Sequence, residues 1–283
     1  MTDTRQSTAV QPRRFFSHRH WRNTVLAPLL CVLALATVSC TENTTVENKA
    51  VENIAGNTTE DIAESTTKPS TKKIPSLDPT RYDDAISSFL YKDTIFPPAK
   101  GGIVMVGSSS FALWNQQMPQ DLAPLDVIPR GFGGSTLRDV LHFADKIITP
   151  YQPRALVVYE GDNDISSYGV TPEEMRDDYL TLFEILQQAN AGARLYVVSI
   201  KPSISRTQFW PQQKAANRLL KTLCDRNPLM TYIDTASVML DQEGVLNQSL
   251  FVEDGVHMNG QGYRLWREVI RGVLMEYEAG FIP

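Results

Sequence analysis

The 283 residues carry a formal net charge of −5, with 42% hydrophobic and 21% charged residues, and a chain of this length holds about one domain of ~200 residues plus appendages. Five arginines and one aspartate fall within residues 1–39, so the remainder holds 22 basic against 31 acidic residues. Nothing basic is left to grip a phosphate backbone, which excludes nucleic acid as an expected partner.

Arg13, Arg14, Arg19 and Arg22 precede an apolar run of 14 residues, Val25 to Val38, interrupted only by Pro28 and Thr37. The run is too short for a membrane anchor and fits the core of an export signal. It ends at Thr37-Val38-Ser39-Cys40. A small residue before such a Cys resembles a bacterial lipoprotein signal, although Thr37 stands where an aliphatic residue is usual. Residues 1–39 are therefore expected to be a signal peptide, and Cys40 a lipidated residue that holds the domain to the cell envelope. Residues 40–76 are rich in Thr, Asn, Glu and Ser and contain no aromatic. Such a segment cannot offset its ordering entropy by burial, so it reads as a disordered tether of roughly 30–35 Å root-mean-square span. Only Cys224 lies in the body, which leaves no internal disulfide. It shares an apolar helical stripe with Leu219, Leu220 and Leu223 and reads as a small buried hydrophobe.

A folded domain is expected over residues 77–283. Asp78-Pro79 opens a helix through Tyr91. Strands follow at Ile103–Val106 and, more weakly, at Leu125–Ile128, closed by Pro129. A helix beginning near Ser135 carries Leu137, Val140, Leu141 and Ala144 on one side. Ala155–Tyr159 is a strand. Thr171, with Pro172 behind it, caps a helix to about Gln188. Leu195–Ile200 and Met230–Ile233 are strands, Gln212–Cys224 and Gly262–Glu278 helices. Short strands alternating with helices predict an α/β fold with a parallel sheet covered on both faces.

In such a sheet, residues just past the C-terminal strand ends line the ligand crevice. Gly107-Ser108-Ser109-Ser110 follows the first strand, Gly131-Phe132-Gly133-Gly134 the second, and Gly161-Asp162-Asn163-Asp164 the third. Asp254-Gly255-Val256-His257 precedes the last helix. An Asp three residues before a His can bind one imidazole nitrogen and leave the other free as a base. A serine hydroxyl needs such a base to become a nucleophile. A developing oxyanion needs donors fixed in advance; the N–H of Gly134, the amide of Asn163 and the N–H of Ser109 are candidates.

Together these four blocks resemble, in order and spacing, those of the SGNH (GDSL-like) hydrolase superfamily, over roughly residues 100–275. The resemblance implies a flavodoxin-like three-layer α/β/α sandwich with a five-stranded parallel sheet. It implies Ser109 as nucleophile, His257 as base, Asp254 as its orienting partner, and Ser109, Gly134 and Asn163 as the oxyanion hole. The family's first block usually has Asp before the nucleophile; here Ser108 stands there, and the alignment of Gly107 places the nucleophile at Ser109 rather than Ser108 or Ser110. Phe111 in place of Gly rules out a Gly-x-Ser-x-Gly elbow, and Thr136 rules out a dinucleotide fingerprint in the second block.

The expected function is an exported serine ester hydrolase acting on a small-molecule, lipid or carbohydrate acyl ester. Its competitor is an inactive envelope binding or scaffold lipoprotein on the same fold, for which only Ser108 speaks. No cluster of His, Cys and carboxylates has metal spacing, so the sequence calls for no metal or cofactor, and it implies no protein partner. Asp164 reads as structural, and His142 as a surface or half-buried helix residue. Phe111, Trp114 and Phe132 either wall an acyl pocket or pack the core. Lys201, Ser203 and Arg206 follow the fourth strand, as solvated loop residues or as contacts for a polar part of the substrate.

Overall fold

The computed structural model describes Asp78 and Thr80–Ile282. The signal segment, Cys40 and the tether lie outside the described residues. Five parallel strands, β1 (Ile103–Gly107), β2 (Val127–Gly131), β3 (Ala155–Tyr159), β4 (Arg194–Val198) and β5 (Met230–Ile233), form one sheet in the order β2-β1-β3-β4-β5. The helices are α1 (Asp83–Ile95), α2 (Ser109–Trp114), α3 (Met118–Asp121), α4 (Leu137–Ile147), α5 (Asp162–Tyr168), α6 (Pro172–Ala189), α7 (Trp210–Asp225) and α8 (Gly260–Glu278). This is the flavodoxin-like three-layer arrangement.

Strand side chains alternate between the two faces of the sheet, and both faces are buried. Val104, Val106, Leu156, Val158, Leu195 and Val197 meet α1, α4, α6 and α7 on one side. Ile103, Met105, Val157, Tyr159, Tyr196 and Val198 meet α2, α3 and α8 on the other. That is why the strands read as unbroken apolar runs rather than as alternating ones. Phe111, Trp114 and Phe132 belong to these cores. Phe111 stacks on Tyr159, and the Trp114 indole donates to Asp121 at 2.7 Å. Of the two readings open for them, the structure supports core packing.

Several boundaries differ from the sequence expectation. Residues 80–82 form a turn, and α1 starts at Asp83 and continues to Ile95. Strand β2 runs through Pro129, paired with Met105, instead of stopping at it. Among the described residues it is an edge strand with β1 as its sole neighbour, so the missing N–H of proline breaks no ladder on its free side. Strand β4 ends at Val198, two residues early. Helix α6 matches: the Thr171 hydroxyl accepts from Glu174 N–H while the Glu174 carboxylate accepts from Thr171 N–H, a reciprocal cap worth about 1 kcal/mol. Cys224 is buried on α7, and burial pushes its thiol up to about 12.

Candidate active site

Because all five strands are parallel, the loops after β1, β2, β3 and β4 emerge at one edge, and the loop before α8 meets them there. Ser109 is the first residue of α2, immediately after β1 and the Ser108 cap position. Its backbone N–H lies in the first turn, where no intrahelical acceptor exists. The Ser108 hydroxyl makes no capping bond, while its carbonyl accepts from Phe111 and Ala112. Position 108 thus serves the backbone turn.

His257 lies with Nε2 2.7 Å from Ser109 Oγ and Nδ1 2.6 Å from Asp254 Oδ2. The other Asp254 oxygen accepts the N–H groups of Val256 and His257, both at 2.8 Å. These bonds, the one from His257 N–H foremost, lower the Asp254 carboxyl to about 2. An ionised carboxylate only accepts, so Nδ1 carries the ring proton and Nε2 presents its lone pair to the serine hydroxyl. The i, i+3 bond requires a sharp turn at Gly255, whose φ is +66°. A side chain there would begin 2.6 Å from Ser205 Oγ, which itself donates to the Asp254 carbonyl at 2.6 Å.

Gly133 and Gly134 lie beside Ser109: a Cβ on Gly133 would sit 4.0 Å from that of Ser109. Gly134 adopts φ +82°, open to few other residues. Among the described residues, the N–H groups of Ser109 and Gly134 have no acceptor in the protein. Asn163 ties the third block to the residue that follows the second by donating from Nδ2 to the Ser135 carbonyl at 2.9 Å. Its second amide hydrogen is left without a partner among the described residues. The five residues nominated by sequence therefore gather at one edge of the sheet.

Buried carboxyls fasten the segment that follows Gly134. Asp164 accepts from Leu137 N–H and Gly161 N–H at 2.8 and 2.9 Å, and burial raises its pKa to about 7. Glu160 accepts from the Ser135 hydroxyl at 2.5 Å, and burial raises it well above the usual carboxylate range. Asp139 caps α4 through Thr136 and pairs with Arg81. Asp164 is structural, as expected, and His142 is exposed on α4.

Three expectations change. Lys201 is fully buried rather than solvated: its ammonium donates to the Val256 carbonyl at 2.7 Å and lies 3.5 Å from Asp162. Burial lowers its pKa, with Asp162 pulling the other way. Ser203 is buried too. Arg206 is an ion-pair partner of Asp162 at 2.8 Å and a donor to Asn163 at 3.1 Å. Sequence reasoning misses Tyr82, whose hydroxyl lies 3.3 Å from the place a Gly134 side chain would start. It also misses Asp162 as a partner of both cations. These contacts join segments dozens of residues apart, and no local spacing signals them.

A family model, GDSL-like lipase/acylhydrolase, matches residues 101–265. The chain belongs to that family and is a hydrolase of ester bonds. Similar solved structures include a Bacteroides fragilis protein provisionally described as an acylhydrolase (TM-score 0.57, 19% identity, covering 70% of this chain and 95% of that one). Others are a GDSL-like lipase from Bacteroides thetaiotaomicron (TM-score 0.55, 18% identity, 70% and 98%) and a carbohydrate esterase family 3 protein from Talaromyces cellulolyticus (TM-score 0.50, 17% identity, 62% and 97%). At these identities they attest the fold. A comparison with curated proteins found no match.

Proposed function

We propose that the protein cleaves acyl esters through a covalent serine intermediate, with Ser109 as nucleophile, His257 as general base and Asp254 as its orienting carboxylate. The reading is carried by the unbroken contact chain from the Asp254 carboxylate through both His257 nitrogens to the Ser109 hydroxyl. Ser109 Oγ attacks the ester carbonyl as Nε2 takes its proton. The negative oxygen that forms is met by the N–H groups of Ser109 and Gly134 and by the Asn163 amide. Each such donor is worth about 3–4 kcal/mol at the transition state. His257 then passes the proton to the departing alcohol, and water removes the acyl group by the reverse route.

We further propose that residues 1–39 export the chain and that Cys40, lipidated, holds the domain to a bacterial membrane through the 40–76 tether, with 77–283 as the hydrolase domain. The Arg-flanked apolar run and the Ser39-Cys40 junction support this; among the described residues no helix is long and apolar enough to cross a membrane. The substrate is an acyl ester of a small molecule, a lipid or a carbohydrate.

The test is hydrolysis of p-nitrophenyl esters from acetyl to palmitoyl. Turnover is expected, with kcat of Ser109→Ala lower by at least about 10⁴-fold and an unchanged melting temperature. A short-chain optimum assigns the enzyme to small acyl groups, a long-chain optimum to lipids. No turnover of any ester by the full chain would refute the reading.

A further inference from the structure

An oxyanion donor works only if its hydrogen is held in place before the reaction begins. The Asn163 amide is gripped at both ends. Its Nδ2 donates to the Ser135 carbonyl at 2.9 Å, and its Oδ1 accepts from Arg206 Nη1 at 3.1 Å. A carbonyl only accepts and a guanidinium only donates, so the two contacts impose the same orientation of the amide. The same Nη1 lies 2.8 Å from Asp162 Oδ1. Asp162 is itself buried and takes a further bond from Gln213 Nε2 at 3.0 Å, with Lys201 Nζ at 3.5 Å from its other oxygen. The carboxylate next to Asn163 in the chain thus holds the guanidinium that holds the Asn163 side chain.

We propose that Arg206, anchored by Asp162, is a positioning residue for the Asn163 amide. Arg206 fixes the amide plane and polarises it, so that the uncommitted N–H meets the oxyanion without rearrangement. The proposal rests on the reading of Asn163 as an oxyanion donor. The role assigned uses Nη1 alone, which contacts both Asn163 Oδ1 and Asp162 Oδ1.

The experiment measures p-nitrophenyl acetate hydrolysis by the full chain, Arg206→Met, Arg206→Lys, Asn163→Ala and the double variant Asn163→Ala/Arg206→Met. This ester has no charged group for Arg206 to bind. Asn163→Ala is expected to lose roughly 100- to 1000-fold in kcat. Arg206→Met is expected to lose about 10- to 30-fold in kcat with KM within about threefold, because an interaction made only in the transition state has gone. Arg206→Lys should recover part of the loss. In the Asn163→Ala background, Arg206→Met should cost less than about threefold, since the two residues act as one unit. A merely structural role would instead add its full cost in that background. Should Arg206→Met fail to fold, Arg206→Lys with and without Asn163→Ala supplies the same comparison. The proposal is overturned by an Arg206 variant with parental kcat, by a change confined to KM, or by a loss undiminished when Asn163 is Ala; each of these leaves the site reading standing. Parental kcat in Asn163→Ala would overturn both.

Discussion

Asp254 divides its two oxygens between the backbone of its own turn and the His257 ring. The pairing with the ring is legible in the sequence alone, because an i, i+3 relation across glycine is local. The bond from Arg206 to Asn163 spans 43 residues and is not legible there, since it depends on how the loops after β3 and β4 meet. Asp164 illustrates a third case: its structural role is readable from its place in the block, its titration is not. Burial holds the folded-state pKa at about 7, whereas an unfolded Asp titrates near 3.9. Between about pH 4 and 7 the unfolded chain has released this proton while the folded chain keeps it, so stability falls as pH rises through that window and is unaffected by this group above it. The melting temperature of the parent minus that of Asp164→Asn should therefore shrink from pH 4.5 to 7.5, by the equivalent of roughly 4 kcal/mol at most. A difference that stays level or grows with pH would count against this assignment.

Elements with several turns or an unbroken apolar run are visible in the sequence; short ones are not. Helices α2 and α5 have six and seven residues, too few turns to display a period. Their starts coincide with the polar blocks, which read as loops from composition. Strand β2 continues past the boundary that Pro129 suggests because its position at the sheet edge is a property of strand order, invisible in its own residues. The turn joining Asp254 to His257 is the element on which the base depends. Gly255→Ala would place a Cβ at φ +66° and 2.6 Å from Ser205 Oγ, a strain of roughly 1–3 kcal/mol. We expect kcat on p-nitrophenyl acetate to fall about tenfold or more and the melting temperature to drop by a few degrees. If both stay at parental values, the turn does not hold the imidazole in the way described.

The whole molecule puts its chemistry at one edge because every strand runs in the same direction. The alternation of strand and helix along the chain predicts that edge, while the buried Lys201 behind it emerges only from the assembled loops. The export reading belongs to this scale as well. In a bacterial host the full chain should fractionate with membranes, and Cys40→Ala should shift most of it to the soluble envelope fraction. A parent found in the cytoplasm, or a Cys40→Ala variant that stays membrane-bound, would exclude the lipid anchor. Catalysis as proposed rests on one hydroxyl, activated by one imidazole, forming the covalent bond. The most direct measurement is mass-spectrometric mapping of the adduct left by a fluorophosphonate on the full chain. The prediction is a single modified residue, Ser109, with labelling slowed at least about 10³-fold in His257→Ala. Modification of Ser108 or Ser110 instead, or a labelling rate indifferent to the loss of His257, would contradict it.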